Sequence, residues 1–181
     1  VAIQKARGID NVKSLTLLTT FLDFTETGVM DVFIDEGMVL RNDLQLGKSG
    51  LATANMLNST FSWLRPNELV WNYVVSHYFK GEAPSAFNIL FWNADSTNLP
   101  GPFYAWYLRN TYLENNLAKP DHISVCGEKI NFGRINIPSF VYSSIADHIV
   151  PWESGFESAK LLPGPVRYVL GASGHIAGVI N

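Results

Sequence analysis

Apolar residues fall into short unbroken blocks near both ends of the chain and into mixed, helix-spaced patterns across its middle. Three blocks predict buried strands of a parallel sheet: Ser14–Leu22, Ser139–Ser143 behind Pro138, and Val166–Gly171. Each is rich in β-branched, aromatic and leucine positions with little alternation, as strands covered on both faces are. Between the last two, Trp152–Leu162 predicts a short helix stopped by Pro163-Gly164. At the front, Val1–Gly8 has the composition of a helix end. Val1, Ala2, Ile3 and Ala6 are apolar, Lys5 and Arg7 suit the C-terminal dipole, and Gly8 can terminate it. A helix that ends just before a buried strand is half of a βαβ unit, and its first strand is expected upstream of Val1.

From Asp23 to about Pro120 the pattern changes. Phe24–Asp35 is mixed and broken at Gly37, and Asn42–Gly50 is polar and Gly-bearing, which predicts a mobile loop. Leu51–Phe61, Glu68–Tyr78 and Phe103–Asn115 predict helices, with a turn at Arg65-Pro66-Asn67. Phe87–Trp92 is a short apolar run, and Asn93–Pro102 reads as a loop. Asp121–Val125 and Glu128–Phe132, on either side of Cys126-Gly127, predict a hairpin-like return to the sheet. The middle block holds Trp63, Trp71, Trp92 and Trp106, four of the five tryptophans. Core packing is the ordinary fate of such aromatics.

Composition narrows the function classes. With a net charge of −3 and 16% charged residues, no nucleic-acid surface is indicated. The chain is 47% hydrophobic, yet no apolar run approaches the roughly 20 residues that span a bilayer. One cysteine, Cys126, excludes an internal disulfide and suits a reducing compartment. Residues 1–12 carry no signal-like segment, so a cytoplasmic location is expected. With no initial Met and an abrupt Ile180-Asn181 end, the chain is expected to be a piece of a longer one.

Several motifs fail on their details. Gly47-Lys48-Ser49 lacks the earlier glycine of a phosphate loop, position 42 being Asn. Asn58-Ser59-Thr60 is a chance sequon in a chain without an export signal. His77, His122, His148 and His175 have no metal-ligand spacing. No Gly-x-Ser-x-Gly elbow exists.

Two positions survive. Asp147 follows the Ser139–Ser143 block, and His175 follows the Val166–Gly171 block. Strand, acid, helix, strand, histidine is the closing unit of an α/β-hydrolase sheet, in which the triad runs nucleophile, Asp, His. Parallel strands end at one edge, so the two side chains could converge there. The plainer alternative is that Asp147 opens a turn and His175 ends a loop.

The wording around these positions resembles the two C-terminal catalytic boxes of bacterial polyhydroxyalkanoate synthases: Asp147-His148-Ile149-Val150-Pro151-Trp152 and Gly171-Ala172-Ser173-Gly174-His175-Ile176-Ala177-Gly178-Val179-Ile180-Asn181. The likeness extends through Ser14–Thr20, Asp31–Glu36, Leu64–Val75 and Leu90–Pro102, and is nearest to the class I enzymes. It implies the C-terminal part of an α/β-hydrolase fold, with a mainly helical cap inserted between core strands. Residues 1–28 and 120–181 would be core, and 29–119 the cap. It further implies an acyltransferase that polymerises short-chain (R)-3-hydroxyacyl-CoA with release of CoA, with no cofactor beyond the thioester substrate.

By position, Asp147 and His175 would be the acid and histidine of a Cys-His-Asp triad, with His148 structural. The family's nucleophile sits in a Gly-x-Cys-x-Gly-Gly elbow that is absent from these residues and expected upstream of Val1. Cys126 matches a Val-Cys-Gly segment outside that elbow and is expected to be a small buried hydrophobe. The fragment alone is then expected to be inactive. The implied partners are the hydroxyacyl-CoA, the growing polyester, a second subunit in a homodimer and the surface of a polyester granule. A thioesterase or lipase of the same fold, or a non-catalytic assembly fragment, are the alternatives.

Overall fold

The computed structural model describes residues 1–64, 66–83, 97–175 and 177–180. The chain divides into two compact units: Val1–Val39 with Tyr107–Asn181, and Leu40–Trp106. The second lies within the 29–119 span expected for the cap.

The first unit is built on three parallel strands, β1 (Leu15–Leu18), β6 (Ser139–Ser144) and β7 (Val166–Gly171), in the order β1-β6-β7. Leu15 pairs with Ser139 and Leu18 with Tyr142; on the other side Ser139 pairs with Val166 and Ser144 with Gly171. Successive side chains alternate between faces. Leu15, Leu17, Val141, Val166 and Tyr168 share one face. They pack with Ala159 and Leu162, at and just after α5 (Trp152–Lys160), and with Ala2 of α1 (Ala2–Ala6). Gly155 lets α5 lie directly on the strand, because a Cβ there would collide with Ser143 Oγ.

The first block makes a shorter strand than its composition predicts. The ladder extends by one bond, from Thr19 N–H to the Tyr142 carbonyl, and Thr19 then turns into the left-handed region at φ 43°. Phe21 and Phe24 leave the sheet to form a second cluster with Tyr107, Tyr112, Leu117, Ile149 and Val150. The backbone freed by this departure is taken up by serines. Leu22 N–H and Asp23 N–H donate to Ser158 Oγ at 2.8 and 2.9 Å, and Glu26 N–H donates to Ser154 Oγ at 3.0 Å. Both serines are fully buried in α5.

The hairpin expected around Cys126 is present as β4 (Ser124–Val125) and β5 (Glu128–Lys129). Cys126 and Gly127 both have positive φ, 52° and 81°, the conformation of a tight two-residue hairpin turn. Cys126 is therefore exposed rather than buried among hydrophobes.

In the second unit, β2 (Leu51–Ala52) pairs antiparallel with β3 (Leu99–Pro100), and α3 (Ala54–Leu64) follows β2. Gly101 opens α4 (Gly101–Leu108) where a Cβ would meet the Leu46 carbonyl at 2.7 Å. Two expectations are corrected here. Asn42–Leu46 belongs to α2 (Glu36–Leu46), with Asn42 buried, so only Gly47–Gly50 is left of the polar loop. Pro66 is helical (φ −63°, ψ −33°) rather than in a turn, since its locked φ fits a helix and it needs no N–H partner there. Wide π-helical turns follow at Asn67–Trp71 and Val74–Phe79. Trp63 and Trp71 are about half exposed, at 48% and 51%, instead of core. The run Phe87–Trp92 lies outside the described residues.

Ser158→Ala in the intact protein should cost about 1–3 kcal/mol, because it leaves two half-buried N–H groups without this partner at once. Denaturant unfolding measures this; a loss within a few tenths of a kcal/mol would mean that the loop finds other partners.

Candidate active site

The two strands that end together carry the site between their following loops. The β6–β7 ladder continues past its last rung: Ile145 N–H donates to the Gly171 carbonyl at 2.8 Å and Ala146 N–H to the Ser173 carbonyl at 3.2 Å. Asp147 and His175 are thus delivered from adjacent loops of one sheet edge. His175 Nδ1 lies 2.8 Å from Asp147 Oδ2.

The other carboxylate oxygen, Oδ1, accepts from Ile149 N–H and Val150 N–H, both at 2.9 Å. This is an Asx-type turn. The plain reading of Asp147 as a turn opener and the sharper one as partner of a histidine therefore both hold, one on each oxygen. Val150 is buried against Phe21 and Phe24, which fixes the turn. Pro151 rests on Gly28, whose φ of 59° and 3.0 Å Cβ clearance to Pro151 Cγ suit glycine alone.

The Asp147 side chain is wholly buried, while that of His175 is 26% exposed. Burial pushes the Asp147 carboxyl upward. The bonds from His175, Val150 and Ile149, with the charge of His175, outweigh that push and hold it below its ordinary value. An ionised carboxylate can only accept, so His175 Nδ1 must carry the hydrogen. In the neutral ring with its hydrogen on Nδ1, the other nitrogen, Nε2, carries the lone pair that a general base needs.

The remaining titratable candidates stand elsewhere. His148 is half-buried beside Asp147, His122 is exposed, and His77 lies in the second unit, edge-on to Tyr73 at 5.8 Å. Cys126 sits at its exposed hairpin turn, where its carbonyl accepts from Arg7 at 3.2 Å. Among the described residues no three His, Cys, Asp or Glu side chains gather closely enough to hold a metal ion, and no helix is long and apolar enough to cross a membrane.

A family model of the alpha/beta hydrolase fold matches residues 4–180. The chain belongs to the alpha/beta hydrolase fold family. Within it, the likeness read from the sequence boxes is borne out. The chain is 52% identical over 186 residues to the poly(3-hydroxyalkanoate) polymerase subunit PhaC of Cupriavidus necator, covering all of this chain and 32% of that protein. It is 41% identical to the poly(3-hydroxyalkanoate) polymerase of Methylorubrum extorquens, over 99% of this chain and 30% of the other. The corresponding subunit of Rhizobium meliloti is 38% identical over 100% of this chain and 30% of its own length. The chain thus spans about a third of these curated relatives.

Sequence reasoning reached Asp147 and His175 in this alpha/beta hydrolase chain but missed what holds them. The Ile149 and Val150 amides have no side-chain signature. Ser154 and Ser158 are visible only as two serines four apart on a helix that also carries Gly155.

The Asp147 shift has a pH consequence. A folded-state value below the unfolded one contributes stability that is present above about 3.8 and is lost as pH falls through the lowered value. Asp147→Asn should therefore flatten the acid limb of stability below about pH 4 relative to the parent protein. Urea unfolding midpoints between pH 2.5 and 6 test this, and parallel acid limbs would contradict it.

Proposed function

We propose that this chain supplies the acid–histidine half of a Cys-His-Asp acyltransferase that polymerises (R)-3-hydroxyacyl-CoA, with short-chain monomers such as 3-hydroxybutyryl-CoA. The observation that carries the reading is the 2.8 Å Asp147–His175 bond, held in a chain 52% identical to a poly(3-hydroxyalkanoate) polymerase subunit. Asp147 holds the Nδ1–H tautomer, and Nε2 takes the proton from a cysteine thiol. The thiolate attacks the thioester carbonyl, the carbon–sulfur bond to CoA breaks, and the imidazolium returns the proton to the departing CoA thiolate. His175, or Asp147 acting through it, then removes the proton of a 3-hydroxyl, whose oxygen attacks the next CoA thioester; the new ester bond forms as the carbon–sulfur bond breaks, and the departing CoA thiolate takes the proton back from the imidazolium.

The thiol in this scheme comes from outside the 181 residues. Cys126, on an exposed hairpin turn between two short strands, does not have the strand-to-helix setting of an activated nucleophile. On the same reading the 181 residues alone release no CoA. The likeness to the polymerases further supports a homodimer working at the surface of cytoplasmic polyester granules.

In the complete protein, Asp147→Asn should lower the rate of CoA release from 3-hydroxybutyryl-CoA by roughly 10⁴, the scale of losing the tautomer-holding acid in comparable triads. His175→Ala should lower it at least as far, with folding retained by circular dichroism. Near-parental release from either folded variant would sink the assignment. Release of free 3-hydroxy acid in place of polymer would point to a thioesterase of the same fold.

A further inference from the structure

Two glycines close on one tyrosine hydroxyl beneath the histidine loop. A Cβ at Gly171 would overlap the Tyr142 hydroxyl and stand 2.7 Å from its ring Cζ. A Cβ at Gly178 would stand 2.5 Å from the same hydroxyl and would overlap Ser144 Oγ as well. Tyr142 and Ser144 project from one face of β6, two residues apart. Ser144 is fully buried, and its hydroxyl donates to the Tyr142 oxygen at 3.3 Å. Neither side chain can give way cheaply. Ser144 has one rotatable bond inside packed surroundings, and Tyr142 carries its hydroxyl on a stiff ring anchored in a central strand.

Gly178 lies one helical turn beyond Gly174 and donates its N–H to the Gly174 carbonyl at 3.2 Å. It belongs to α6 (Ala177–Ile180), which has only four residues. A helix that short has no stability of its own, so its position comes from what it rests on. What it rests on is the Tyr142–Ser144 hydroxyl pair. Along the chain, His175 stands two residues after Ser173, which holds the loop ladder, and three before Gly178, which meets this seat.

We propose that the Tyr142 and Ser144 hydroxyls form the seat of the chain that follows His175, and that Gly178, the residue that fits it, sets where the imidazole meets Asp147. All three are positioning residues and act through His175. The activity consequence rests on the reading above; the geometric one does not.

The test uses the complete protein and two readouts. The first is the low-field proton resonance of the His175 Nδ1–H, which reports its bond to Asp147 without substrate. The second is CoA release. Gly178→Ala should weaken or abolish the resonance in a folded protein and lower kcat roughly 10²-fold with KM little changed, the scale of a misplacement of about 1 Å. Adding Tyr142→Phe and Ser144→Ala together removes both hydroxyls and leaves neither unpaired, an exchange that is close to neutral for a matched pair. In the Gly178→Ala background that pair should restore the resonance and most of kcat, because the alanine methyl then fills the vacated space. A full resonance in folded Gly178→Ala, or no recovery in the triple variant, overturns the proposal. Where Gly178→Ala does not fold, the Tyr142→Phe, Ser144→Ala variant decides. Its emptied seat should speed exchange of the His175 N–H with water several-fold, and unchanged exchange overturns the proposal. Recovery of the resonance without recovery of CoA release would leave the seat standing and count against the polymerase reading.

Discussion

The parallel ladder between β6 and β7 fixes almost everything else in the first unit. Its last rung pairs Ser144 with Gly171, and two further bonds carry the register into the loops, at Ile145–Gly171 and Ala146–Ser173. A strand's side-chain period is two, so a slip of one residue would turn Val141 and Ser143 away from α5 and bring Tyr142 and Ser144 beneath it. The same slip would carry Asp147 along the sheet edge by more than 3 Å, roughly the rise per strand residue, and out of reach of His175. Register is thus a constraint on the hydrogen bond as much as on the core. The α5 helix enforces it, because Gly155 accepts Ser143, and no bulkier residue, against its backbone.

The sheet edge must also place a carboxylate out of water without neutralising it. Asp147 is almost wholly buried, and an isolated buried carboxylate would protonate. Three donors prevent that: two amides of its own turn and one imidazole N–H. The amides belong to Ile149 and Val150, whose side chains reach into the aromatic cluster of Phe21 and Phe24. Apolar packing therefore holds the polar turn, and the polar turn orients the histidine. The loop after β1 joins this arrangement through Ser154 and Ser158, so the loops that follow all three parallel strands are tied to one helix or to one another.

How far this was legible follows from which terms write themselves into residue order. The short β-prone runs opened by Pro138 and by Pro163-Gly164 mark β6 and β7 to within a residue, although β6 is half serine and β7 turns Arg167 and Leu170 outward. Asp147 and His175 stand out because they interrupt such blocks at their ends. The end of β1 was not legible: Leu17-Leu18-Thr19-Thr20-Phe21-Leu22 is a good strand by composition, and only the buried oxygen of Ser158, distant in sequence, draws its second half away. Asn42–Leu46 has the polar composition of a loop but forms the last part of α2, because polar residues on a helix face look like a loop when read one by one. The role of Pro66 was missed because its constraint is compatible with a helix as well as a turn.

Glycines show the same division between what a residue type states and what a contact states. Gly28 and Gly127 have positive φ, and their reason can be read from backbone conformation alone. Gly155, Gly171 and Gly178 have no such need. Each is required because another element comes within the volume of a methyl group: Ser143 at the first, and Tyr142 at the other two, joined by Ser144 at the last. The last two sit four residues before and three after His175, Gly171 on the final rung of the β6–β7 ladder and Gly178 in the short helix beyond the loop. Close backbone approach is cheap only where no side chain must be ordered. A histidine whose reach depends on a short loop and a four-residue helix is best held by hydroxyls that are themselves fixed in a central strand. The stiffness of the site then comes from β6, and the loop contributes little beyond the imidazole.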